Sequence, residues 1–163
     1  MSNLLEKKTV QKVNQFFINI NENIDLIILD ETAKTAKDAA KSLKLKEVGA
    51  IIKSLLFKNK KNNDYYLCLV SGDQYISINK LSIIIKGEII KANADECKKI
   101  TGFSIGGISP VAHTYSPNRI FIDKNLEKYN KIYGAAGHPY VVFGISFAKL
   151  CSITGGEVRS IVE

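Results

Sequence analysis

Ala50-Ile51-Ile52-Lys53-Ser54-Leu55-Leu56-Phe57 is a run of β-branched, aliphatic and aromatic residues that predicts a β-strand. A polar turn over residues 59–64 follows it, and residues 65–70 return as a second β-rich run. Two such runs separated by a short polar segment are typical of a hairpin. We therefore expect a β-hairpin here.

Lys53 interrupts this strand and needs an explanation. Alternation places Lys53 on one face with Leu55 and Phe57, whereas Ser54 lies on the other face. Both faces are largely apolar, which predicts a central strand buried on both sides. A buried lysine is costly unless its ammonium meets an anion, a carbonyl group or a wet cavity. Either Lys53 points into a ligand site, or it lies near an edge and its stem reaches solvent.

The segments around the hairpin alternate between helical and strand periodicity. A first amphipathic helix is predicted over residues 4–20, and Thr32 is a candidate N-cap for a second helix that extends to residue 43. Further helices are predicted from residue 79, from Asn93 or Asp95 to residue 100, and over residues 146–153. Strands are predicted over residues 24–29, 119–123, 131–136 and 140–143. We expect one α+β domain over residues 1–163, built around a mixed sheet or barrel.

Two glycine-rich loops each carry a histidine. The first is Thr101-Gly102-Phe103-Ser104-Ile105-Gly106-Gly107-Ile108-Ser109-Pro110-Val111-Ala112-His113, and the second is Gly134-Ala135-Ala136-Gly137-His138-Pro139. A Gly-Gly step exposes backbone N–H groups and allows a ligand to approach closely. These loops are typical of the lining of a small polar pocket, although for either histidine taken alone an exposed loop position is favoured.

The loops lack several familiar signatures. The Gly-Gly fragment has no Walker lysine, and Ser109 lies in no nucleophile elbow. Two histidines without a third ligand make a poor zinc site, and the 3 cysteines contain no C-x-x-C pair. We expect no metal and no cofactor.

Charge and length limit the remaining possibilities. The 163 residues carry a formal net charge of +7 and a pI near 9.2. That excess favours an anionic partner such as nucleic acid, unless the scattered lysines are simply solvated. No signal-peptide core and no apolar run of membrane-spanning length occur, so we expect a soluble, cytoplasmic protein.

Taken in order, several of these segments resemble the YbaK/EbsC family of aminoacyl-tRNA deacylases, which includes the editing domain inserted in bacterial prolyl-tRNA synthetase. The resemblance covers roughly residues 24–160. It is carried by the Thr-led helix Thr32-Ala33-Lys34-Thr35-Ala36-Lys37-Asp38-Ala39-Ala40, the strand Ile51-Ile52-Lys53-Ser54-Leu55-Leu56-Phe57, the loop from Thr101 to Pro110, and the turn Ala135-Ala136-Gly137.

The resemblance implies a mixed-sheet β-barrel flanked by helices and a metal-free esterase that acts in trans on mischarged tRNA. Lys53 matches the family's essential lysine, and Gly106 and Gly107 match the loop that holds the aminoacyl ester. The implied partners are a mischarged tRNA and, as a second candidate, an aminoacyl-tRNA synthetase, with neither a membrane nor DNA. The other positions implied to bind substrate are Thr32, Ser109, Pro110, His113, Ala136, Gly137 and His138.

The residues fit that chemistry. An aminoacyl ester is already activated, so hydrolysis needs a positioned water and donors for the carbonyl oxygen as it gains charge. Backbone N–H groups of Gly106 and Gly107 could form such an oxyanion hole, while Lys53 binds a phosphate or polarises the ester. The alternative is a module of the same fold that binds tRNA or a synthetase without catalysis.

Overall fold

The computed structural model describes residues 3–30 and 35–163. In these ranges the chain forms five α-helices and eight β-strands. The helices are α1 (Lys8–Asn19), α2 (Ala36–Ser42), α3 (Ile78–Ile85), α4 (Ala94–Thr101) and α5 (Phe147–Thr154). The strands are β1 (Leu26–Ile28), β2 (Ile52–Asn59), β3 (Tyr65–Ser71), β4 (Ile89–Lys91), β5 (Arg119–Asp123), β6 (Ile132–His138), β7 (Val141–Ile145) and β8 (Glu157–Arg159).

The strands form two sheets. The larger sheet has the order β4-β2-β3-β5-β8, with β4, β2 and β3 antiparallel and β5 and β8 added in parallel. The smaller sheet is antiparallel, in the order β1-β7-β6. The predicted hairpin is confirmed as β2 and β3, in a register that pairs Lys53 with Val70.

An isolated parallel bridge between Ile51 and Tyr133 joins the two sheets where β2 and β6 begin. The expected α+β class with a mixed sheet and flanking helices is confirmed. The described strands do not close into one barrel, because β2 and β6 pair at this bridge alone.

The main core lies between the sheets, and it includes Leu56 and Leu69 of the hairpin together with Phe143 of β7. Helix α1 closes one side of this core, where the rings of Phe17 and Phe143 meet edge to face with centroids 4.9 Å apart. A second cluster, which includes Phe57 and Leu81, lies between the other face of the hairpin and α3. The predicted alternation along β2 is confirmed, because neighbouring residues of this strand enter opposite clusters.

The capping residues explain most helix starts. Asn93 caps α4 in a reciprocal capping box with Glu96, and Ser146 caps α5, as predicted. Helix α2 begins at Ala36 with Thr35 as its cap. The expected cap, Thr32, lies outside the described residues.

None of the described helices has the length and apolar character needed to cross a membrane.

Candidate active site

A cavity of about 680 Å³ opens where β2 and β6 diverge beyond the Ile51–Tyr133 bridge. The hairpin, the turn after β3, the start of α2, the first glycine-rich loop and the smaller sheet all contribute to its walls. Its lining includes Thr35, Val48, Ile51, Ile52, Lys53, Ser54, Leu55, Gly72, Asp73, Tyr75, Ile105, Gly106, Ile108, Tyr133, Ala135, Pro139 and Val142. This volume is in the range of small-molecule sites.

The edge of β2 that faces the cavity has free backbone groups. Backbone hydrogen bonds along an antiparallel strand alternate between its two sides. The N–H of Asn59 donates to Asp64 on the β3 side, and the carbonyl of Leu56 accepts from Ala92 on the β4 side, both at 3.0 Å. The backbone of Ser54 therefore points to the β4 side. In the described chain β4 pairs only with the last three residues of β2, so Ser54 faces the cavity without a strand partner.

Lys53 is half-buried, and the turn after β3 holds its ammonium group. The Nζ atom donates a hydrogen bond to the carbonyl oxygen of Gln74 and lies 4.7 Å from the ring centroid of Tyr75. Burial lowers the pKa of Lys53, whereas the nearby carboxylates of Asp73 and Asp123 act to raise it. Lys53 lies where β2 has a locally free edge and also lines the cavity, and its role in ligand binding stays a prediction.

A hydrogen-bonded network fixes the turn that receives Lys53. Ser71 is fully buried at the end of β3, where its N–H donates to Asp123 at 3.0 Å and its hydroxyl donates to the carbonyl of Gly49 at 2.7 Å. The same hydroxyl lies 3.1 Å from Asp73, and the N–H of Gln74 donates back to Ser71 at 2.9 Å. These contacts hold the Gln74 carbonyl in place opposite β2.

The first glycine-rich loop turns sharply beside the cavity. The N–H of Gly107 donates to the carbonyl of Ser104 at 2.9 Å, which closes a β-turn with Ile105 and Gly106 at its centre. Gly106 has φ of +91°, as the third residue of a type II turn requires. Within the described part of the chain no group accepts a hydrogen bond from the Gly106 N–H, so this donor is free, whereas the Gly107 N–H is already used.

The hydroxyl of Ser54 is the one buried side-chain oxygen or nitrogen without a hydrogen-bond partner among the described residues. Ser54 lies beside Lys53 in β2 and lines the cavity. A buried unpaired hydroxyl costs free energy, so a ligand that hydrogen-bonds to it gains affinity. The wall at Ser54 therefore offers both backbone and side-chain groups to a polar ligand.

Other predicted site residues lie away from this cavity. Pro110 and His113 line a second cavity of about 440 Å³, bounded also by Phe16 and Arg119. The ring of His113 bonds to the carbonyl of Ser109 through Nε2 at 2.7 Å, and burial lowers the pKa of His113. Ser109 is itself fully buried, and its hydroxyl accepts a bond from the Val111 N–H at 3.1 Å.

The second glycine-rich loop supports the first. Ala136 is fully buried in the main core, and Gly137 has φ of +85° and packs so closely on α1 that a Cβ would lie 2.4 Å from the carbonyl oxygen of Thr9. His138 accepts a hydrogen bond from the Tyr140 N–H at 3.1 Å. Burial lowers the pKa of His138. A Cβ on Gly107 would lie 3.1 Å from the His138 backbone, so the two loops are in contact.

Lys53 and Gly106 are thus the predicted site residues that line the large cavity. Gly107 and His138 are the chain neighbours of the lining residues Gly106 and Pro139, while Ser109, Ala136 and Gly137 are buried and do not line the cavity. Thr32, the remaining predicted residue, is not among those described. In the ranges 3–30 and 35–163, no three His, Cys, Asp or Glu side chains lie together as a metal site would need.

The sequence of this domain matches one family of known function. The aminoacyl-tRNA editing domain family matches residues 30–152, which include β2, β6 and both glycine-rich loops. The chain belongs to this family. The resemblance expected from the spaced motifs is therefore confirmed.

Relatives of this editing domain agree with that assignment. One solved structure, described as a candidate trans-editing enzyme for prolyl tRNA synthetase, is 30% identical with a TM-score of 0.89, covering 96% of this chain and 98% of that chain. Another, of a hypothetical protein, is 26% identical with a TM-score of 0.83, covering 93% of this chain and 99% of that chain. A proline–tRNA ligase from Lactobacillus johnsonii is 33% identical over 86 residues, which are 52% of this chain and 15% of the ligase.

Sequence reasoning missed three polar or aromatic residues of this editing-domain cavity. The strand pattern gives Ser54 no role beyond its place in β2, and no sequence motif points to Asp73 or Tyr75 in the turn after β3. A Ser-Gly-Asp sequence directly after a buried strand was the available signal, since its polar groups had to be satisfied at the strand end.

Proposed function

We propose that this editing domain is an enzyme that hydrolyses the ester of a mischarged tRNA in trans. The proposed substrate is a small wrong amino acid on proline tRNA or a related tRNA. Two relatives support the choice of proline tRNA, because one is described as a candidate trans-editing enzyme for prolyl tRNA synthetase and the other is a proline–tRNA ligase. The observation that carries the proposal is the shared cavity, whose lining includes both Lys53 and Gly106, the residue of the Gly-Gly pair with a free N–H.

In this proposal water attacks the carbonyl carbon of the ester. The carbonyl oxygen gains negative charge, which the Gly106 N–H stabilises as an oxyanion donor. The bond between that carbon and the ribose oxygen then breaks, and the ribose leaves as an alcohol. A neighbouring ribose hydroxyl relays the proton, because it accepts one from the attacking water as it donates its own to the leaving oxygen. Lys53 binds the terminal phosphate or polarises the ester.

The size of the cavity would set the selectivity. Its inner walls include the apolar side chains of Val48, Ile51 and Val142, with Ala135 as a small neighbour. One methylene changes discrimination by only about 1–3 kcal/mol in an apolar pocket. We therefore expect graded rates among small amino acids and strong rejection of bulky ones.

A panel of mischarged tRNAs tests the proposal directly. Each tRNA carries a radiolabelled amino acid, and release is measured at low enzyme concentration. Lys53→Ala should lower kcat/KM by about 100-fold or more, as loss of a key electrostatic group does. Lys60→Ala is the matched control, because Lys60 follows the same strand but pairs with Glu88 at 3.2 Å on the surface. Near-normal release by the Lys53 variant would disprove the assignment.

One observation favours a second candidate, a non-catalytic binding module. The Gly107 N–H is bonded to Ser104, which leaves Gly106 as the single free donor of the Gly-Gly pair in the described loop. A filter-binding assay run beside the release assay separates the two functions. Retention of tRNA with no ester loss across the whole panel would favour the module.

A further inference from the structure

We propose that Tyr75 is the stacking platform for the terminal adenine base of the tRNA. This inference rests on the proposed function, because it names the part of the substrate that the rim of the cavity binds. Every tRNA ends in an adenosine whose ribose carries the amino acid. An enzyme that acts on this ester must place the adenine beside the catalytic cavity.

The exposure of Tyr75 is the first reason for the proposal. Its side chain is 71% exposed although it lines the cavity beside Lys53. A single exposed aromatic residue is ordinary on a protein surface, so position decides the argument. Tyr115 is similarly exposed, at 59%, but it lines neither of the two cavities described above.

The backbone of Tyr75 is held firmly while its ring is free. Its carbonyl accepts a hydrogen bond from Glu163 at 2.9 Å, and the next residue, Ile76, forms a bridge with Val162. The turn before it is closed by the bond from Gln74 to Ser71. A ring on an anchored segment loses little freedom when a base stacks on it, which favours binding.

The contact between Lys53 and Tyr75 brings the proposed site of the adenine base next to the proposed site of the ester. The ammonium lies 4.7 Å from the Tyr75 ring centroid on one side, and the high exposure of the ring leaves the other side open. In our proposal the base stacks on the open face of the ring while the ammonium of Lys53 stays on the other face. Both contacts are favourable, because the π-faces of an aromatic ring bind bases as well as cations. Ile105, which is 56% exposed, adds an apolar contact to the same lining.

The first experiment compares substrates with and without the base. The full substrate is proline tRNA mischarged with alanine, an alanyl-tRNA. The same alanyl-tRNA without its terminal base keeps the reacting ester and the neighbouring ribose hydroxyl but lacks adenine. Tyr75→Ala should raise KM for alanyl-tRNA by roughly 10- to 100-fold with little change in kcat, the effect of losing one stacked base. The variant should hydrolyse the substrate without the terminal base with the same KM and kcat as the wild type. Equal effects on both substrates, or none on alanyl-tRNA, would overturn the proposal.

Two further variants control for fold and chemistry. Tyr75→Phe keeps the ring and should keep KM within about 3-fold of the wild type, because stacking needs the ring and not the hydroxyl. Tyr115→Ala removes a similarly exposed ring away from the cavity and should leave KM unchanged. A Tyr75→Phe variant as impaired as Tyr75→Ala would also contradict the stacking role.

A binding measurement separates this inference from the proposed function. A tRNA with 2-aminopurine as its terminal base should lose fluorescence when it binds the wild type, because stacking quenches this base. Tyr75→Ala should bind without that quenching. Quenching by the wild type would support the platform even if no ester were hydrolysed. Identical quenching in both proteins, or none in either, would disprove it.

Discussion

The carboxylate of Asp123 accepts a hydrogen bond from the backbone N–H of Ser71, with Oδ2 and N 3.0 Å apart. Asp123 ends β5 and is fully buried, and its other oxygen accepts bonds from the backbone and side chain of Asn125. Ser71 begins the turn whose Gln74 carbonyl receives the Lys53 ammonium. The position of Lys53 therefore depends on a carboxylate that does not line the cavity.

Replacing Asp123 with alanine should destabilise the protein by about 3 kcal/mol, because the Ser71 N–H would stay buried without an acceptor. Urea denaturation followed by circular dichroism measures the change. Asp25→Ala is the control, since Asp25 is exposed, and it should change stability by less than about 0.5 kcal/mol. Equal midpoints for the two variants would contradict the role of Asp123.

Glu96 should make stability depend on acid pH. The ammonium of Lys58, 2.7 Å away, the capping bond from Asn93 and the Tyr65 hydroxyl together lower the pKa of Glu96 to about 2. Since this pKa is below the value of an unfolded glutamate, the stabilisation is complete above about pH 4.5 and is lost as pH falls toward 2.

Glu96→Gln should therefore lower the free energy of unfolding by about 1–2 kcal/mol at pH 7. The difference from the wild type should shrink between pH 4.5 and 2.5 in urea titrations. Glu88→Gln is the matched control, because Glu88 is 60% exposed and its one ion pair among the described residues is with Lys60. A Glu96 deficit that stays constant down to pH 2.5 would refute this explanation.

Ala112 is strained in the first glycine-rich loop. Its φ of +67° lies in the left-handed region, which costs a residue with a Cβ roughly 1–2 kcal/mol. Ala112→Gly should raise the melting temperature by a few degrees, since relief of strain exceeds the added entropy of the unfolded chain. Ala148→Gly, in the exposed part of α5, should instead destabilise by about 1 kcal/mol. The prediction fails if both variants change stability in the same direction.

Local patterns made most of the fold predictable. The hairpin followed from two β-rich runs around a polar turn, and the caps Asn93 and Ser146 followed from side chains that satisfy free N–H groups. The short strands β4 and β8 are not predicted, because Ile89-Ile90-Lys91 and Glu157-Val158-Arg159 carry too little periodicity, whereas the equally short β1 lies within the longer apolar run of residues 24–29. Their pairing depends on neighbours that are distant in sequence.

The site was predictable only in part for the same reason. Lys53 drew attention because its charge breaks an apolar run, and Gly106 because a Gly-Gly step permits unusual backbone geometry. The sequence could not reveal that Gly107 uses its N–H within the turn, or that His113 faces a different cavity. Those outcomes depend on how the loop packs against β6 and α1.

The net charge of +7 should make substrate binding sensitive to salt. Log KM for tRNA should rise linearly with log salt, by about 0.7–0.9 per phosphate contact. Lys37 lines the cavity at the start of α2. Lys37→Gln should therefore lower the slope of log KM against log salt by about the amount of one phosphate contact, whereas Lys60→Gln should leave the slope unchanged. A slope near zero for the wild type would point to a small-molecule substrate.

Hydrolysis should fall at alkaline pH as Lys53 loses its proton. Burial lowers the pKa of Lys53, and the carboxylates of Asp73 and Asp123 oppose this effect. Asp73→Asn removes one carboxylate, so the pKa of Lys53 should fall further and the activity loss should begin at lower pH. Profiles of kcat/KM against pH, corrected for spontaneous ester loss, measure the shift. Asp25→Asn should leave the profile unchanged. If the loss of activity began at higher pH in the Asp73 variant than in the wild type, a protonated Lys53 would be ruled out as the active form.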